Sequence, residues 1–269
     1  MKILITAGHS RSLYTVALLN QLNRIKDIEL YVAEVKTFKF KRFKSYLKQY
    51  GFINLYKKFS AHYMGNSKSQ LYRETKPIRD FLNNNNVLDK TVKGFCLKNK
   101  ISHIKVDNIN GDKLYKFIQK NNLDLIIYSG GGILRKKIIE STKKGVINAH
   151  SGYLPFFRGM NVIEWALLYN KRPQTSIHFI DSGIDTGKII LRENIPFNNN
   201  LYTLRGNATV HNVNLIVKVI SNLDNYTKNA ISQNKEDGKQ FFLMNDYLKN
   251  IVINKIKNNE EHLFKNYTF

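Results

Sequence analysis

Several things are scarce in this 269-residue sequence, and each scarcity excludes something. There is one cysteine, Cys96, so an intrachain disulfide and any cysteine-clustered metal site are ruled out. No apolar run approaches the roughly 20 residues that a membrane-crossing helix requires. A GxGxxG dinucleotide fingerprint is missing, and so is a GxxxxGK[ST] phosphate loop. Acidic residues are few, 20 against 43 Lys+Arg, for a formal net charge of +23. From Val35 to Arg73 there is no acidic residue at all. Such a field attracts nucleic acid, anionic lipid or polyanionic small molecules. Lysine and asparagine are spread throughout the chain, however, and a compositional bias that places Lys on solvated faces accounts for the excess equally well. No internal repeat is visible.

What is present, 42% hydrophobic and 12% aromatic residues, suffices for one large core. Lys2 to Thr6 is a short β-branched run, typical of a buried parallel strand. It leaves no room for a leader peptide before it, and a cytoplasmic location is expected. A turn, Gly8-His9-Ser10-Arg11-Ser12, opens a helix, and Ile28 to Val32 is a second strand. Backbone N–H groups and the helix dipole at that turn suit a phosphate. Ser10 or Ser12 acting simply as a helix cap is the competing reading. Phe38 to Leu97 is too long for an ordinary connection and reads as a helical insertion broken near Asn83–Asn86. Within it Phe40, Phe43, Tyr46 and Leu47 fall at helical spacing among lysines, so residues 36–58 suit either an anionic membrane surface or RNA, or a solvated basic face over a core stripe.

Further strands are expected at Ile101–Val106, Leu123–Tyr128, Gly145–Asn148, Ser176–Ile180 and Ile189–Ile195, and helices at Asp112–Lys120, from near Leu134, around Trp165–Leu167, at Leu201–Leu223 and at Asn245–Asn259. Lys239–Met244 reads as extended and the tail after Glu260 as frayed. The alternation predicts an α/β fold, a Rossmann-like open and mostly parallel sheet with a helical insertion and a short helical C-terminal piece. The boundaries expected are 1–197 for a catalytic domain, with its insertion at about 38–97, and 198–269 for a C-terminal helical extension.

Two features carry chemistry. Gly130-Gly131-Gly132 follows a strongly apolar strand, leaving backbone bare for a flat ligand at the ligand-binding edge of such a sheet, or else making only a tight turn. The stretch from Asn148 to Gly187 delivers an amide (Asn148) and an imidazole (His150) from one strand and a carboxylate (Asp185) from the turn after the next. Each alone is more often structural; together they form an acid–base constellation. Asn148 and a protonated His150 can donate to a developing oxyanion, and Asp185 can orient the imidazole or relay a proton. No metal is called for.

The composite NAH-S-x-LP-xx-RG, then a Trp-Ala helix, then HFID-x-GIDTG, resembles the formyltransferase family that uses N10-formyltetrahydrofolate. The resemblance is tight from about Leu123 to Phe197. It implies Asn148, His150 and Asp185 as the catalytic trio and a pteridine bound along Gly130, Gly131, Gly132, Ile133 and Leu134 and along Ile180, Asp181, Gly183 and the rest of the Asp-turn. It also implies a cis Leu154–Pro155 bond. On this reading Gly8, His9, Ser10, Arg11, Ser12 and Arg158 contact the acceptor. Family members acting on methionyl-tRNA carry an extra C-terminal barrel that the helical C-terminal piece here does not resemble. The expected acceptor is therefore a nucleotide-linked amino sugar of surface-glycan synthesis, with a homodimer through the C-terminal piece as one arrangement. A tRNA-acting enzyme using the basic patch, and a non-catalytic RNA- or membrane-associated protein on the same fold, remain open at this stage.

Overall fold

The computed structural model describes residues 1–36 and 66–257. The basic amphipathic stretch expected at residues 36–58 lies, apart from Lys36, outside the described residues, and so does the tail beyond 257. A seven-stranded sheet organises the molecule. Its strands are β1 (Lys2–Ala7), β2 (Glu29–Val35), β3 (Ser102–Val106), β4 (Leu125–Tyr128), β5 (Val146–His150), β7 (Gln174–Phe179) and β8 (Ile189–Asn194). Their order across the sheet is β3-β2-β1-β4-β5-β7-β8. The pairs from β3 to β5 are parallel; β5–β7 and β7–β8 are antiparallel. Chain order reverses beside β1, where β4 pairs with it, and open α/β sheets bind ligands at such a switch point.

Alternation of side chains along each strand divides the apolar residues between two layers. Ile3, Ile5, Leu125 and Ile127 face one layer; Leu4 and Ile126 face the other. The first layer is covered by α1 (Leu13–Leu22), α2 (Asn66–Asn84), α3 (Val92–Lys98) and α7 (Leu201–Ser221), which bury Leu18, Leu19, Ile78, Leu82, Phe95 and Ile216. The second is covered by α4 (Asp112–Lys120) and the single turn α5 (Lys136–Ile139), through Leu114, Ile118 and Ile138. α2 ends at the asparagine run, as the sequence predicts, and its Ile78 and Leu82 join the main core. α7 likewise packs on the sheet through Val213, Ile216, Val219 and Ile220.

The segment between β5 and β7 supplies β6 (Phe157–Gly159) and α6 (Val162–Leu168). β6, which the sequence does not announce, pairs in parallel with β9 (Lys239–Phe241), which falls in the stretch expected to be extended. α8 (Leu223–Lys228) and α9 (Asp246–Lys257) complete the described chain. α9 buries Val252 and Ile256 against α6 and α7. The Leu154–Pro155 bond is cis. Among the described residues no helix is long and apolar enough to cross a membrane, and no cluster of His, Cys, Asp and Glu could hold a metal ion. Cys96 is buried, and burial pushes its thiol up to about 12, so it is not a nucleophile at neutral pH.

Candidate active site

β5 and β7 lie side by side with Asn148 opposite His178. The Asn148 side-chain amide lies 3.3 Å from His178 Nε2. The other ring nitrogen, Nδ1, is 2.7 Å from the Phe179 carbonyl, an acceptor, so Nδ1 carries the proton. Nε2 then accepts from the Asn148 Nδ2 group, which fixes the amide with its donor side toward the histidine. Burial, followed by repulsion from His150, pushes the His178 pKa down to about 4, which keeps this tautomer neutral at pH 7.

His150 ends β5 and is also buried. Its Nε2 donates to the Phe157 carbonyl at 2.8 Å, which leaves Nδ1 facing Asp185 Oδ2 at 3.6 Å. Asp185 Oδ1 lies 3.6 Å from His178 Nε2, and Oδ2 accepts from the Gly159 backbone N–H at 2.9 Å. The carboxylate therefore sits between two imidazoles. Asp185 holds φ +55°, a left-handed conformation unusual for a non-glycine residue. Gln233 Nε2 donates to the carbonyls of Asp185 and Gly187 and secures that turn. Asp181 Oδ1 accepts from Gly183 N–H and from the Thr186 hydroxyl, shaping the loop from inside. Gly152 has no room for a side chain, since a Cβ there would fall 2.6 Å from His150 Nε2.

A cavity of about 390 Å³ opens beside this cluster, within the range of small-molecule sites. Asn148 and Asp185 reach it, and so do Gly132, Ile133, Leu134, Ile180, Asp181 and Gly183. Of the eight residues expected around a bound pteridine, these six line one wall or another. Gly130 and Gly131 do not. They lie against Gly8, and a Cβ on Gly131 would strike Ile109 and Val35 at 2.7 and 2.9 Å. Gly132 is different: φ is +107°, nothing lies within 4 Å of its would-be Cβ, and its carbonyl accepts from the Tyr128 hydroxyl.

Tyr128, Met160 and His178 also line the cavity, and the sequence reading does not single them out. The signal for His178 is present in HFID: on a strand antiparallel to the one carrying Asn148, the two residues share a register position. Ile133, Met160 and Ile184 are exposed apolar side chains around the opening, a surface suited to a flat ring.

The residues expected to contact an acceptor are less concentrated. Ser12 caps α1 through the Thr15 N–H and also accepts from the Thr15 hydroxyl, so its side chain is engaged within the helix start. The Ser10 carbonyl accepts from Val92 N–H. His9 and Arg11 are exposed. Arg158 is buried and donates to the Gly238 carbonyl, tying β6 to the segment leading into β9. None of these residues lines the 390 Å³ cavity.

With this geometry in view, one part of the chain matches a known family. Residues 92–220 match the family model described as Formyl transferase, and the chain carries a formyl transferase domain over them. The whole described architecture is a Rossmann-like formyltransferase fold. Methionyl-tRNA formyltransferase from Finegoldia magna is 28% identical over 159 residues, 58% of this chain and 51% of that protein. The chain spans about half the length of the curated relatives it matches. Among solved structures, an N-formyltransferase from Helicobacter canadensis, in complex with folinic acid and dTDP-3-aminofucose, aligns at TM-score 0.56 and 19% identity over 96% of this chain and 80% of that one. Phosphoribosylglycinamide formyltransferase from Streptococcus pneumoniae aligns at TM-score 0.53 and 15% identity, covering 83% of this chain and 98% of that one. At such identities the structural likeness is one of fold.

Proposed function

We propose that this chain transfers a formyl group from N10-formyltetrahydrofolate to the amine of a nucleotide-linked amino sugar. The observation that carries the reading is that Asn148 and Asp185 line a cavity whose exposed rim is apolar, with the buried His150 ring 3.6 Å from the Asp185 carboxylate. The cavity suits the folate ring: Gly132 leaves backbone bare, and Ile133, Met160 and Ile184 offer faces for stacking. The co-substrate supplies an activated formyl group on N10.

The residues of this chain do the rest. The second Asn148 Nδ2 hydrogen, the one not engaged by His178, donates to the formyl oxygen as the acceptor nitrogen adds to the carbon. His150, held by the Phe157 carbonyl, presents Nδ1 to the Asp185 carboxylate. Asp185 takes the proton that the acceptor nitrogen must lose and returns it to N10 as the N10–formyl bond breaks, so charge and protons balance. The acceptor's diphosphate is assigned to the turn at Gly8 to Ser12, with Arg11 as its exposed cation and His9 as an exposed polar neighbour.

The acceptor class is supported by the Helicobacter structure, which aligns along nearly all of this chain and was solved with an amino-sugar nucleotide. The curated relatives favour a second reading, methionyl-tRNA as acceptor. One experiment separates them. The chain is incubated with N10-formyltetrahydrofolate and either a panel of nucleotide-linked 3- and 4-amino sugars or methionylated initiator tRNA. The expected outcome is a mass gain of one formyl group on a sugar and none on the tRNA. Formylated methionyl-tRNA with unmodified sugars would replace the first reading by the second.

A further inference from the structure

A second, smaller cavity, of about 180 Å³, is lined by Ser151, Asn161, Glu164, Arg205, Thr209 and Glu74. It neighbours the candidate active site through the chain itself. Ser151 follows His150, and Asn161 follows Met160, which lines the larger cavity. Glu74 is the unusual member. It comes from α2, before the stretch that matches the family model, whereas the other five lie within it.

The lining is held in place. Arg205 Nη1 lies 2.6 Å from Glu164 Oε1, and Nε lies 3.1 Å from Glu74 Oε1. Glu164 is 1% exposed and also accepts from the Asn161 amide. Burial works against the Arg205 charge, but Glu164 and Glu74 outweigh it and raise its pKa further above the ordinary value. The Ser151 hydroxyl accepts from Asn212, which in turn accepts from Thr175. Two carboxylates and one guanidinium leave this cavity with one net negative charge, on a chain whose total is +23.

We propose that this cavity holds the amino-sugar ring of the acceptor and that Glu74 determines which acceptor is used, an inference that rests on the reading under Proposed function. Three observations select the sugar rather than the rest of the acceptor. The volume lies below the roughly 300–1,000 Å³ of sites that enclose drug-sized ligands, so one ring enters and the nucleotide stays outside. Carboxylates, a guanidinium, an amide and hydroxyls are the donors and acceptors that ring hydroxyls pair with. The local negative charge repels a diphosphate, which stays outside. α2 is then the element by which this chain reads its acceptor, independently of the folate side.

The test separates the two substrates. Wild-type protein, E74Q and R205K are assayed with the amino-sugar nucleotide that the panel identifies, and binding of 5-formyltetrahydrofolate is titrated on each. Expected are a rise in acceptor KM of about tenfold or more in E74Q, a similar rise in R205K, and folate binding within about twofold of wild type. Retained folate binding shows that each variant is folded. An unchanged acceptor KM in both variants, with wild type active on the sugar, would overturn the cavity assignment alone. A parallel loss of acceptor and folate affinity would overturn it too, since the cavity would then not be specific to one substrate. A wild type that formylates no amino sugar would remove the acceptor reading and this assignment with it.

Discussion

At the residue scale, the site depends on which nitrogens carry protons. Asn148 is oriented by a neutral histidine, and His150 by a backbone carbonyl. Replacing Asn148 by Ala removes the donor proposed above for the formyl oxygen. A fall in kcat of about 10²–10³-fold is expected, the usual cost of losing one such donor. Folate binding should change little, and rapid-quench kinetics alongside a binding titration would check both. His178 gives a separate, pH-based prediction. Its folded pKa is about 4 against an ordinary 6.5. Between those values the unfolded chain binds more protons than the folded one, so stability rises with pH across this window and is fully present above pH 6.5. The contribution is of the order of 3 kcal/mol. Urea titrations from pH 4 to 7 should show a slope in the wild type that is smaller in His178→Gln; identical slopes would mean that another group is responsible.

At the element scale, the loop after β4 contains three glycines with different duties. Gly131→Ala places a Cβ against Ile109 and Val35 at φ +123°. A loss of about 1–3 kcal/mol in unfolding free energy is expected, the strain typical of such a conformation. Gly132→Ala meets no neighbour, so its stability cost is the backbone contribution alone, and its main effect should be weaker 5-formyltetrahydrofolate binding. Chemical denaturation and a folate titration on the two variants would show opposite rankings. The triple glycine is legible in the sequence as backbone left bare. Which glycine faces a ligand and which face the rest of the fold depends on β1 lying next to β4, a contact more than a hundred residues long in sequence. The main parallel strands are legible because buried strands are continuous apolar runs. β6 is not: three residues long, it is stabilised by pairing with β9 and by the stack of Phe157 on Phe241.

At the scale of the whole molecule, the charge of +23 supports non-specific association with RNA whatever the acceptor. Such binding should fall steeply as salt rises from about 50 to 200 mM, by roughly 10³–10⁵-fold if 6–10 phosphates are contacted. A filter-binding series with tRNA would measure it. A salt-insensitive or absent complex would count against a tRNA-acting enzyme that relies on the basic patch.

By itself the sequence determined the α/β alternation and the order of the main elements, because apolar periodicity is a local property, and a compact motif made Asn148, His150 and Asp185 the candidates. It also marked most of the walls of the larger cavity, since they fall on two continuous segments. Only the tertiary structure decided that Asp185 lies between two histidines, that Arg158 is spent on Gly238, and that Glu74 from the insertion helix meets Arg205 from α7. Those outcomes depend on which strand pairs with which and on which helix covers which face. Packing across the whole core fixes those pairings, and no short stretch of sequence encodes them.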